Sequence, residues 1–211
     1  MIAQHAGERN AALGEKAAGI STLDAKKALS TLKKSDPKRY AMYVALARQV
    51  RDMNKQTLDI LLDGQVITKE LYDNLRSKYK LHIPLNRILE NEEATAGMMG
   101  GKGFNVKSTG LKRAKGSELE VSDIIGNVTA NVQEAITRAE KNRVGLEMYK
   151  VFNTPKGQML GKTRGLRVID KSVNGNLIME TPTDDMIVLY VDGKKKVIVP
   201  NDPIIAKVYN M

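Results

Sequence analysis

Apolar residues recur at a helical spacing up to Phe152 and at a strand spacing beyond Pro155. One regular element cannot satisfy both periods, because side chains repeat every 3.6 residues on a helix and every second residue on a strand. The chain must therefore be helical first and sheet-forming later. The earlier part carries Tyr40, Tyr43, Val44, Ala47, Val50, Met53, Leu58 and Leu61 at helical intervals, then Val121, Ile125, Val128, Val132, Ile136 and Ala139. The later part carries the short runs "GLRVID", "NLIME", "DMIVLYVDG" and "KKKVIVP".

Punctuation divides these periods into elements. Residues 2–10 read as a short helix, with Gly14 and Gly19 breaking the pattern. Ser21 is an N-cap with Asp24 three residues on, and a helix follows to about Lys33. Asp36-Pro37 restarts a helix, Asp as cap and Pro in the first turn, and Asp63-Gly64 stops it after Leu62. Thr68 opens another, to about Lys80. "LHIPL" (81–85) is extended, because Pro84 disfavours helix at Ile83. The longest helix runs from about Val121 to Phe152. Asp192-Gly193 supplies the positive φ angles of a two-residue hairpin turn, pairing about 186–191 with 194–199. Asp202-Pro203 opens a last helix within about two turns of Met211, which gives the expectation that the natural polypeptide continues beyond that residue.

The 211 residues include 34 Lys or Arg against 24 acids, a net charge of +10. Such a balance favours a polyanion, either nucleic acid or an anionic membrane surface, and its bland counterpart is a solvated surface that is merely basic. With no Trp and two Phe, the core rests on Leu, Ile, Val, Met and Ala. The absence of cysteine removes disulfides, thiolate nucleophiles and Cys-based metal sites. No run of 18 apolar residues is present to span a bilayer.

Between Gly97 and Gly116 lie six glycines, five Lys or Arg and no acid. This Gly-rich basic loop reads as an adaptable contact surface, its cations Lys102, Lys107, Lys112, Arg113 and Lys115 meeting DNA, an anionic membrane or the acidic run Glu90–Glu93. A phosphate-binding P-loop needs four residues between its glycines, then Lys and a hydroxyl. "GMMGGKG" (97–103) and "GQMLGKT" (157–163) each have three. Arg138, Lys141 and Arg143 form a second basic group on a helix, where they either contact phosphates or make local ion pairs with acids such as Glu140. Tyr40, Tyr43 and Tyr72 fit core or core-edge positions better than stacking platforms. His5 and His82 lack the spacing of a metal site or catalytic triad, so neither a cofactor nor a metal is expected. The ten Met residues are scattered. Met98-Met99 suits either an adaptable contact or ordinary gap filling.

Four strings carry a resemblance: "AQHAGERNAAL" (3–13), "LYDNLRSKYKLHIPLNR" (71–87), "GGKGFNVKSTGLKRAKG" (100–116) followed by "DIIGNVTANVQEAITRAEKNRVG" (123–145), and "VDGKKKVIVPNDPIIAKV" (191–208). In this order they resemble a segment of the large polyvalent proteins of bacteriophages and conjugative elements. Members of that family string many modules together, travel in the particle and enter the host with the DNA, and some shield it from restriction. Their catalytic activities belong to modules whose motifs are not found here. The resemblance implies a non-catalytic module with no catalytic residues to transfer. The acidic run Glu90–Glu93 departs from the family's pattern.

The expectation is thus an α+β protein, with a helical region at 1–152 carrying the loop 97–116. A small antiparallel β meander at 153–211 ends in a helix start. Its expected role is a non-catalytic structural or interaction module of a virion-associated protein, internal or ejected, that travels with phage DNA. Its partners would be that DNA or another polyanion, other virion proteins and further copies of itself, and its place the virion interior, then the host cell, or otherwise the cytoplasm. The alternative is a dedicated nucleic-acid-binding module, and a distant third is an enzyme with an unrecognised site.

Overall fold

The computed structural model describes residues 2–78, 124–172 and 175–211. The loop 97–116, the end of the helix expected near Lys80, the segment 81–85 and the start of the long helix at 121–123 lie outside them. The described chain is α+β. Its helices are α1 (Ile2–Leu13), α2 (Thr22–Ser35), α3 (Pro37–Asp63), α4 (Lys69–Lys78), α5 (Ile124–Phe152) and α6 (Pro203–Asn210). The strands are β1 (Gly161–Gly165), β2 (Val168–Lys171), β3 (Leu177–Met179), β4 (Ile187–Val191) and β5 (Lys194–Pro200). Within the described residues no helix is long and apolar enough to cross a membrane.

The caps explain the helix boundaries. Ser21 Oγ accepts from the Asp24 amide at 3.0 Å and donates to the Asp24 carboxylate at 2.7 Å. Asp36, the one residue between α2 and α3, accepts from the Arg39 amide at 2.9 Å. Thr68 accepts from the Leu71 amide at 3.0 Å and Asp202 from the Ile204 amide at 2.9 Å. Each cap satisfies an N–H that has no partner inside its helix.

The described residues group into two compact units. The first holds 2–59, 73–78 and 124–135, and the second holds 60–72, 136–172 and 175–211. The second unit thus draws residues 60–72 and 136–152 from the helical region to the β region. In the first unit α1 meets α2 through Ala6, Ala18 and Ala25, with Ile2, Ala3 and Ile20 packed around them. Val50 and Val128 centre a second cluster with Met53 and Ile124. Buried Asn10 clips the α1–α2 connection, donating to the Ile20 carbonyl and accepting from the Ala18 amide, both at 2.9 Å.

In the second unit β4 and β5 form a hairpin, and β1 adds to the other edge of β5, giving the antiparallel order β1-β5-β4. β2 and β3 form a separate antiparallel pair. In the run "GLRVID" Gly165 ends β1 and Val168–Asp170 begin β2, with Leu166 and Arg167 between the strands, while β1, "GKTRG", had no apolar signal. One sheet face buries Ile187, Leu189 and Ile198 against Phe152 and Ala206, with Leu146, Tyr149, Ile205 and Tyr209 around them.

The stop after α3 works differently from the expected Asp63-Gly64 signal. Gln65, not Gly64, takes the left-handed conformation, at φ 57°. The Val66 amide reaches back to the Leu61 carbonyl at 2.9 Å, which closes the helix end. Gly64 serves close packing instead: a Cβ there would stand 2.6 Å from Ala139 Cβ.

Candidate nucleic-acid interface

The expected site residues fall into two groups. Lys102, Lys107, Lys112, Arg113 and Lys115 lie outside the described residues. Arg138, Lys141 and Arg143 stand on the part of α5 that belongs to the second unit, and each engages other residues of that unit. Arg138 is 9% exposed and its charge acts on Tyr190 of β4. Lys141 Nζ sits 5.3 Å from the centre of the Tyr209 ring, and burial pulls its pKa below the usual lysine value. Tyr209 Oη donates to the Lys141 carbonyl at 2.9 Å. Arg143 bridges Asp63 and Glu140. These three cations thus contribute to how α5 is held. Near them, fully buried Asn142 donates to the carbonyls of Gly64 and Tyr190 at 2.8 and 2.9 Å and accepts from the Tyr190 amide at 2.7 Å.

The stretch "GQMLGKT" is not a phosphate loop. Gly157–Met159 is one 3₁₀ turn, and Gly161, Lys162 and Thr163 lie on β1 paired with Pro200, Val199 and Ile198. A P-loop joins a strand to a helix, so its amides converge on one anion. Here they are spent on a ladder. Among the described residues, no three His, Asp or Glu side chains gather as metal ligands.

The junction of α2 and α3 gathers charge differently. From Lys26 to Arg51 the chain holds eight Lys or Arg and one acid, Asp36. Lys26, Lys27, Lys33, Lys34, Lys38, Arg39 and Arg48 are all exposed, and among the described residues none of them forms an ion pair. Asp36 is committed to capping α3. The first turn of α3 holds Lys38 and Arg39 and no acid, although a helix N-terminus favours negative charge. The Tyr43 ring and the charge of Asp36 act on Arg39 there.

Two tyrosines order this charge. Lys33 Nζ lies 5.9 Å from the centre of the Tyr40 ring, so the last turn of α2 meets the first of α3. The Arg39 guanidinium lies 5.6 Å from the Tyr43 ring, and its Nε donates to Tyr43 Oη at 3.1 Å. That hydrogen bond is the main cause of the raised Arg39 pKa. Both rings are half-buried. The core-edge expectation for Tyr40 and Tyr43 describes their ring positions but overlooks the cations against them. A signal existed: Arg39 and Tyr43 are four apart on a helix, a spacing that makes side chains neighbours.

The chain matches no family model, no curated protein and no solved structure.

Proposed function

We propose that this chain is a non-catalytic interaction module of a phage virion-associated protein, internal or ejected, that engages phage DNA through basic surface. The observation that carries the DNA-binding part is the exposed charge from Lys26 to Arg48, seven cations to one acid. Phosphates release condensed counterions when such a surface covers them, which gives sequence-independent affinity. The virion setting rests on the resemblance to polyvalent phage proteins, and contacts with other virion proteins and with further copies belong to the same reading. Two measurements test it. The purified chain should shift a DNA fragment at low salt and release it as salt rises. Peptides of the chain should appear in mass spectra of purified, nuclease-treated particles of the source phage. Absence from particles with DNA binding intact would leave the second reading, a dedicated nucleic-acid-binding module, which the same exposed charge supports. Failure to bind DNA at any salt concentration would remove the DNA-binding part of both readings and leave, where particles contain the chain, an interaction module that contacts other virion proteins.

A further inference from the structure

We infer that the α2–α3 junction grips the backbone of duplex DNA, with Lys33, Lys34, Lys38 and Arg39 as contact cations and Tyr40 and Tyr43 as posts that preset two of them. The inference rests on the DNA-binding reading above and assigns the surface and the form of the ligand. Long cationic side chains lose rotamer freedom when they meet a phosphate, and a cation already seated against a ring loses less. Lys33 is seated on Tyr40 and Arg39 on Tyr43, the latter also through its Nε. A guanidinium carries five N–H donors, so the bond to Tyr43 leaves Nη donors for a phosphate.

Two further observations select the ligand. A helix that inserts into an anionic membrane surface buries a wide apolar face among its cations. Between Lys33 and Arg48, Met42 is the one large apolar side chain that is exposed. Single-strand sites stack bases on open aromatic faces. Here both rings are half-buried and have a cation against them. Backbone contact with a duplex needs the cations alone.

The full chain would be titrated into a labelled duplex of arbitrary sequence, with anisotropy read at a series of NaCl concentrations. Four phosphate contacts give the junction a log–log salt slope of about −3.6. Replacing Lys34, Lys38 and Arg39 together by Gln should reduce the slope's magnitude by about 2.7. Tyr40→Leu with Tyr43→Leu should weaken binding about tenfold and leave the slope unchanged, since no charge is lost. Tyr43→Phe, which spares the ring, should weaken it about threefold. Circular dichroism would confirm that each variant is folded. Duplex binding with an unchanged slope in the Gln variant would overturn the assignment of the surface while leaving the DNA-binding reading in place. No duplex binding by the parent chain at any salt would remove both. Tighter binding to a single strand, lost with the Tyr→Leu pair, would overturn the duplex assignment. So would stronger binding to phosphatidylglycerol vesicles that the Gln variant loses.

Discussion

Asn142 carries more of the second unit's order than its size suggests. β4 is an edge strand, and the Tyr190 amide and carbonyl face away from β5. An unpaired strand edge either stays wet or recruits another chain. The Asn142 carboxamide supplies one donor and one acceptor to Tyr190, as a neighbouring strand would, and a second donor to Gly64. Asn142→Ala strands two carbonyls and an amide in a dry site. It should cost about 3 kcal/mol in urea unfolding. Gly193 is a second sensitive position. It sits at φ 70°, and a Cβ there would stand 2.3 Å from the Thr68 amide nitrogen. Gly193→Val meets both obstacles and should cost at least about 2 kcal/mol by the same assay. An unaltered midpoint would refute the turn's role.

The β2–β3 pair has a different dependence. Its strands are largely exposed, and Glu180, just after β3, ties it to β1 through a bidentate pair with Arg164. Glu180 is also bonded to the Arg167 amide at 2.9 Å. The Arg164 hydrogen bond, then the Arg167 amide, hold the Glu180 carboxyl below its usual range. A carboxylate whose folded pKa is depressed contributes stability above its unfolded pKa and loses it as pH falls through the folded value. The protection of the β2–β3 amides against hydrogen exchange, taken relative to their intrinsic rates, should therefore fall on acidification below about pH 4. Glu180→Gln should exchange faster at neutral pH and show no such acid step. A hairpin equally protected in both proteins would show that the pair contributes nothing there.

With a net charge of +10, the folded chain also works against its own repulsion. Salt screens that repulsion, so the melting temperature should rise as NaCl is added from low ionic strength. Replacing Lys34, Lys38 and Arg39 by Gln should flatten this rise in scanning calorimetry, because that variant removes charge from a crowded junction. A melting temperature that falls with salt would mean that attractive pairs dominate the molecule's electrostatics.

The Asp-Gly turn, the caps at Ser21, Asp36, Thr68 and Asp202, and the change of period after Phe152 were all legible in the chain, because each rests on neighbours a few residues away. Positive φ angles at Asp192 and Gly193 follow from what those residues tolerate, whatever surrounds them. β1 was not legible. "GKTRG" has no apolar alternation and becomes a strand because β5 offers it a ladder. The long helix was legible as a helix, yet its apolar pattern misjudged its face. Ile125 and Ile136 are exposed, while Arg138, Asn142 and Gly145 turn inward. Gln65 shows the reason most plainly. Its left-handed backbone presents a carbonyl to the Gly193 amide and a side-chain oxygen to the Asp192 amide, a partner 127 residues away. Local rules act through torsions and first neighbours. Burial of a polar side chain depends on whether a distant segment brings it a hydrogen-bond partner, and that is settled only when the chain folds back on itself.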